Sequence, residues 1–358
     1  MSSDGPVRQT TFKRNGHVNF FLRCLQALPA SGTSQDANRI TIAYFCLSGL
    51  ELLGALEDKT TAQQRDAWIE WIWSLRSPNG GFGGSTFMIT TSNANTSPGH
   101  LPSTYTALLC LAILRAPLDR LDVPGLVSFL RSCQGQDGSF SPLPRSQSEG
   151  DFQSDLRMTY CACAVSSIIS DFSGINVDAA RAMIRQCRTW EGGYAARPGI
   201  IEAQGGTTYC AMASLKLLEA DGKADSTEDH EETLRWLLQR QIGGFQGRPG
   251  KLEDVCYSFW CGGALSILGR SDLLDAQSDR TFLLSAQYPF GGFGKEPEDP
   301  PDPYHSYLAL AALSMHEPAA KEHALGLKSL VPTWNVSEES AKWLRGEISR
   351  IKALKYPA

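Results

Sequence analysis

The chain has 358 residues, 42% of them apolar and 20% charged, with 33 glycines, 19 prolines and 10 cysteines. Thirty-three lysines and arginines against 38 acids leave a formal charge of −5, which argues against a global nucleic-acid-binding surface. No apolar run approaches the roughly 18 residues of a membrane span, the start is too polar for a signal peptide, and ten cysteines without such a signal read as reduced cytoplasmic thiols.

Residues 1–15 read as a flexible lead-in, and 16–358 as a single domain. Within it, an amphipathic stretch at 16–28 is followed by a largely apolar one at 39–56. The alternation then recurs: amphipathic helices are predicted at 62–76, 122–133, 177–187, 229–241 and 278–287. In the first of these, Trp68, Ile69, Ile72, Trp73 and Leu75 fall at helical spacing among Gln64, Arg65, Asp66 and Glu70. Helices apolar nearly all round are predicted at 103–115, 156–170, 207–219, 256–268 and 304–315, where Ala, Ser, Cys and Leu dominate. A connector and a short helix near 337–352 end the chain.

Glycine-aromatic loops join each amphipathic helix to the apolar one after it: Asn79-Gly-Gly-Phe82, Gln136-Asp-Gly-Ser-Phe140, Trp190-Glu-Gly-Gly-Tyr194, Ile242-Gly-Gly-Phe245 and Phe290-Gly-Gly-Phe293. Their aromatics are separated by 58, 54, 51 and 48 residues, the mark of a repeat architecture. Six wholly apolar helices favour closure into an all-α barrel, inner helices around a cavity and amphipathic ones outside. All the glycine loops then lie at one end, with six inner-helix N-termini whose free N–H groups should draw an anion. Tyr44, Phe45, Tyr105, Tyr160, Tyr209, Phe259 and Trp260 are candidates to line the funnel. The polar interruptions 85–99, 142–155 and 295–303 suit surface loops near that end.

The densest chemistry runs from Arg248 through Lys251, Asp254, Cys256 and Tyr257 to Trp260. Cys256 lies 11 residues after Phe245 and His305 lies 12 after Phe293, equivalent positions at the starts of adjacent inner helices. Carboxylate, thiolate and imidazole suit zinc, and three protein ligands leave a position open. The plainer alternatives are a buried cysteine and a helix-terminal histidine bonded to a loop carbonyl. Arg248, Lys251, Tyr257 and Arg157 beside a helix start suit an anion with several oxygens, such as a diphosphate. DxDD, DDxxD, GxxxxGK[ST], HExxH, GxSxG and CxxC motifs are all missing.

These residues resemble the β-subunits of protein prenyltransferases. The run Gly243-Gly-Phe-Gln-Gly-Arg248 through Trp260 is close to a signature of that family, and Asp155-Leu-Arg157-x-x-Tyr160-Cys161 and Glu202-Ala-x-Gly205-Gly206 match further blocks. The resemblance spans about residues 16–345. It implies a closed α/α barrel of six inner and six outer helices, catalytic zinc on Asp254, Cys256 and His305, and a helical-repeat α-subunit as partner. It also implies diphosphate binding by Arg248, Lys251 and Tyr257, with Arg157, Tyr160 and Trp260 in the lipid and peptide cavity.

The segment around Thr41 and Phe45 resembles the type I geranylgeranyl-transferring members. Farnesyltransferases carry tryptophan where this chain has Thr41, and the smaller side chain leaves room for a fourth isoprene unit. Lys295 falls where farnesyltransferases have a magnesium-binding aspartate and type I enzymes have lysine, so magnesium should not be required. The implied reaction is transfer from geranylgeranyl diphosphate to the cysteine of C-terminal CaaX sequences ending in leucine, as in small GTPases. Gln204 replaces a family histidine. In the pocket for the terminal residue, His100 fits the family while Pro102 and Met158 depart from it. A farnesyltransferase β-subunit and a non-catalytic helical-repeat binding protein are the alternative readings.

Overall fold

A computed structural model describes residues 11–28, 30–89, 98–145, 154–221, 230–316 and 324–355. Parts of the expected loops 85–99 and 142–155 lie outside the described residues, as do residues 1–10. Helices pair in chain order as the repeat predicts: α1 (Arg14–Gln26) with α2 (Arg39–Leu52); then, after the single turn α3 (Leu56–Lys59), α4 (Ala62–Ser74) with α5 (Leu101–Ile113). There follow α6 (Val123–Cys133) with α7 (Leu156–Ile168), α8 (Val177–Gln186) with α9 (Gly205–Leu218), α10 (Glu231–Leu238) with α11 (Val255–Ile267), and α12 (Ala276–Ser285) with α13 (Pro303–Met315). Arg14 and Asn15, expected in the lead-in, already belong to α1, and Gln287 bonds the backbone of Thr11 and Lys13.

The two classes of helix differ as their sequences require. Every residue of α5 except Pro102 is buried, whereas α8 buries one face, including Val177, Met183 and Ile184. Local signals start the outer helices: Thr61 and Gln64 form a reciprocal capping box, and Asp122, Asn176 and Asp275 cap α6, α8 and α12. The inner helices pack as a continuous ring in the order α2, α5, α7, α9, α11, α13 and back to α2. The barrel is closed.

The glycine loops weld each repeat to the next. Phe82, Phe140, Tyr194, Phe245 and Phe293 are all buried, each paired by a backbone bridge to the end of its preceding outer helix. Gly291 shows why glycine is needed. Its φ is 96°, and a Cβ there would lie 2.0 Å from the Gly16 carbonyl of α1. His17 completes this last joint: its ring stacks on Phe293 at 4.5 Å and its Nδ1 accepts the Gly292 N–H at 3.0 Å. The sixth repeat thus returns to the first.

The far end of the barrel is plugged. Strands β1 (Leu330–Val331) and β2 (Val336–Ser337) form a short antiparallel hairpin before α14 (Glu338–Lys355), which packs across α5 and α7. The turn enters a ring of inner-helix tyrosines. Tyr209, Tyr105 and Tyr307 donate to the carbonyls of Pro332 (2.7 Å), Trp334 (2.8 Å) and Asn335 (2.7 Å). Tyr160 joins Tyr105 at 2.9 Å and reaches Thr333 at 3.2 Å, while Tyr44 bonds the Asn335 carbonyl. Tyr44, Tyr105, Tyr160 and Tyr209, expected to line an open funnel, instead make its floor together with Tyr307. Buried phenols need acceptors and a buried turn needs donors, so each satisfies the other.

Candidate metal centre and its rim

The site lies where the inner helices begin. Four of the six starts are capped by a side chain: Asp155 takes the N–H of Arg157, Asp254 that of Cys256 and Asp302 that of His305, each at 2.9 Å, and Gln204 takes that of Thr207 at 3.3 Å. The second amide of α2 and the first amides of α5, α7, α9 and α11 donate to carbonyls of the next loop: Gly84, Pro142, Ala196, Gly247 and Lys295. The expectation that free helix N–H groups attract an anion is therefore corrected. Those amides are already bonded, and three of the caps are carboxylates, so attraction falls to the basic side chains.

Asp254, Cys256 and His305 come together from α11 and α13. One oxygen, the sulfur and one imidazole nitrogen lie within 4.8 Å of one another. Asp254 Oδ1 stands 3.5 Å from His305 Nε2, and Asp302 Oδ2 holds the other nitrogen, Nδ1, at 2.5 Å. That leaves Nε2 facing the cluster, the arrangement in which a second carboxylate orients a metal-ligating imidazole. Burial pushes the Cys256 thiol well above its usual range, and the Asp254 carboxylate adds to it. Burial disfavours charge on His305, yet bonds to Asp254 and Asp302 outweigh it and raise this group to about 9. Against the pull of burial, bonds to His305 and Cys256 hold the Asp254 carboxyl below its ordinary value, so the thiol and the imidazole beside this carboxylate hold the protons that a divalent cation would displace. Donor set and spacing fit zinc.

Beside the cluster opens a cavity of about 420 Å³, lined by Arg157, Gln204, Arg248, Tyr257, Trp260 and Tyr304 among others. Gln204 Nε2 donates to the Tyr257 hydroxyl at 2.7 Å. Burial, then Cys256 and Asp254, keep the Tyr257 phenol protonated, a donor at the cavity wall. Arg248 is paired with Glu202, and Arg157 grips Asp155 through Nε at 3.1 Å and Nη2 at 2.6 Å. Lys251 and Lys295 are exposed on adjacent connectors; the Lys295 carbonyl receives the first amide of α11.

The remaining expected residues lie outside that lining. Thr41 is half-buried in the first turn of α2, and Phe45 packs edge-on against Tyr304 at 5.5 Å. His100, Pro102 and Met158 stand half-buried at the starts of the neighbouring helices α5 and α7, with His100 Nδ1 bonded to Ser103 at 2.9 Å. Sequence reasoning missed Asp302 and Tyr304. An Asp-x-x-His spacing at a helix start was the available signal for Asp302. Tyr304, whose hydroxyl accepts from Trp260 Nε1 at 3.0 Å, gave none beyond adjacency to His305.

A closed ring of paired helices around a funnel, with a metal-competent triad at its mouth, defines the class. The chain belongs to the prenyltransferase alpha-alpha toroid family, whose domain it matches over residues 12–336. It is 36% identical over 330 residues to the geranylgeranyl transferase type-1 subunit beta of Arabidopsis thaliana, spanning 86% of this chain and 85% of that one. The protein of the same description from Dictyostelium discoideum is 36% identical over 350 residues, spanning 90% and 95%. The structure of Candida albicans protein geranylgeranyltransferase-I complexed with GGPP superposes with a TM-score of 0.82 at 30% identity, covering 94% of this chain and 99% of that one. Among the described residues, no helix is long and apolar enough to cross a membrane.

Proposed function

We propose that this chain is the catalytic β-subunit of a cytoplasmic protein geranylgeranyltransferase type I, with residues 16–358 as its single domain. It transfers a geranylgeranyl group to the cysteine of C-terminal CaaX sequences in partnership with an α-subunit. The observation that carries this reading is the Asp254–Cys256–His305 cluster at the mouth of the barrel cavity, in a chain this similar to type I β-subunits.

Asp254, Cys256 and His305 would hold zinc, which when bound lowers the pKa of a substrate thiol at its open position. Asp302 keeps the His305 ring turned so that Nε2 faces the site. Arg248, Lys251, Tyr257 and Lys295 bind the diphosphate and stabilise the charge that develops on it, with Gln204 fixing the Tyr257 hydroxyl. The lipid chain extends down the cavity past Trp260 and toward Phe45, Tyr160 and Thr41, with Arg157 at the wall. The peptide terminus lies toward His100, Pro102 and Met158. The thiolate sulfur attacks C1 of the lipid; the S–C bond forms as the C1–O bond breaks, and its electron pair leaves with the diphosphate. The thiol proton passes to solvent, and no covalent protein intermediate is needed. Lys295 supplies the charge that makes magnesium unnecessary.

Cys256→Ala removes the only sulfur of the cluster. We expect the variant heterodimer to lose stoichiometric zinc by elemental analysis and at least about 10³-fold in turnover, a scale set by losing a transition-state contribution of several kcal/mol. A variant retaining both zinc and turnover contradicts the assignment.

A further inference from the structure

One of the five glycine loops, the one before α11, is built differently from the rest. In the other four a backbone bridge joins residues six positions apart: Arg76 to Phe82, Gln134 to Phe140, Arg188 to Tyr194 and Gln287 to Phe293. A turn bond closes each of those tips. Gly80, Gly138, Gly192 and Gly291 each donate to the carbonyl three residues earlier, at 3.0 to 3.3 Å. The loop before α11 runs only from Gln241 to Phe245, two residues shorter, and among the described residues it has no such turn bond. Its glycine amides turn to a side chain instead. Gly243 and Gly244 both donate to Glu253 Oε1, at 2.9 and 2.6 Å. A carboxylate accepts such amides more strongly than a carbonyl does, so the short loop is closed from outside itself.

Glu253 sits at the far end of the connector that carries Arg248 and Lys251. Gln246 and Glu253 pair across its neck by a backbone bridge, and Gln246 Nε2 donates to the Lys251 carbonyl at 2.7 Å. Gly250 turns its tip at a φ of 74°. At the base, the Asp254 N–H returns to the Phe245 carbonyl at 3.1 Å. Towards the neighbouring repeat the connector is held by the Gly205 N–H on the Gly247 carbonyl and by Glu202 on Arg248. We infer that Glu253 is a positioning residue for the diphosphate, pinning this connector to the glycine tip so that Arg248 and Lys251 are presented at a fixed place; the inference rests on the function proposed above. Glu253 is not among the residues lining the cavity, so it acts through the connector and not by contact. A connector held in advance spares the ordering that binding would otherwise require.

The test measures the dissociation constant of the heterodimer for geranylgeranyl diphosphate, comparing variants at equal zinc content. Glu253→Ala removes the acceptor and should weaken binding at least about tenfold. Glu253→Gln keeps an oxygen that can take both amides, and should bind within about twofold of wild type. Glu253→Asp keeps the charge without the reach, and should bind as weakly as the alanine variant. Inorganic diphosphate, used as a competitor, should lose affinity by the same factor, because the connector meets only that part of the substrate. The KM for the peptide should not move, a split that general loosening of the fold does not produce. Alanine and aspartate variants that both bind within about twofold of wild type overturn the inference, as does a glutamine variant as weak as alanine. Should the alanine variant not fold, the glutamine and aspartate variants decide in the same terms. A wild-type heterodimer that transfers the lipid while Glu253→Ala binds it unchanged sinks only this role. One that neither binds nor transfers the lipid sinks the proposed function with it.

Discussion

Ser258 stands at the fourth position of α11, where three of the other inner helices use a hydroxyl to hold their own loop. Thr104, Thr208 and Ser306 accept the N–H of Phe82, Tyr194 and Phe293 respectively, each at 2.9 Å. Ser258 instead donates to Asp279 Oδ1 on α12 at 2.6 Å. Asp279 is wholly buried, and its second oxygen meets no donor among the described residues. Burial raises its carboxyl to about 7, aided by the like charges of Glu253 and Asp275 and opposed by the Ser258 bond. A folded-state value above the unfolded 3.8 means that the native state holds the proton more tightly. This group's contribution is therefore complete below about pH 4 and falls away as pH rises toward 7. Asp279→Asn keeps the Ser258 bond without the charge. Urea titrations should find the variant more stable by on the order of 2–4 kcal/mol at pH 8 and nearly equal to wild type at pH 4. An unchanged difference between the two pH values would show that Asp279 ionises at its ordinary value.

At the scale of elements, the helices were legible because their two burial patterns differ: one face for the outer set, every face for the inner set. All twelve fall where the periodicity predicts them, within a few residues. The short hairpin at 330–337 was not legible. Its strands have two residues each, too few for alternation, and its turn is held by phenols that come from five of the six inner helices. The same fact hid the role of Tyr160 and its neighbours, since an aromatic on an inner helix reads alike as lining or as floor. Tyr307→Phe tests the floor. It removes the donor to both Asn335 oxygens (2.7 and 2.9 Å), so the variant should lose about 1–3 kcal/mol in denaturant titration. A loss below about 0.5 kcal/mol would mean that the plug is held by packing alone. Asn335 is itself buried, so the Asn335-Val-Ser337 sequon is structural.

At the scale of the molecule, ring closure turns a linear repeat into a site. Cys256 and His305 are 49 residues apart in sequence. They meet because equivalent positions of adjacent repeats stand side by side, and that could be read from loop spacing alone. What spacing could not supply is how the rim groups are held: Gln204 on Tyr257 and Glu202 on Arg248. Those contacts join separate repeats, and only folding brings the repeats together. In the proposed function the choice of lipid rests on two positions, Thr41 and Lys295: one would leave space for a longer chain, the other would put an ammonium in place of a metal. Both are tested by one measurement, the transfer of lipid to a CaaL peptide by the purified heterodimer given equal geranylgeranyl and farnesyl diphosphate, with and without magnesium. The account predicts that geranylgeranyl transfer dominates by at least about tenfold, a 1.4 kcal/mol preference, and is unchanged when magnesium is chelated selectively. Farnesyl transfer that dominates and requires magnesium would contradict it.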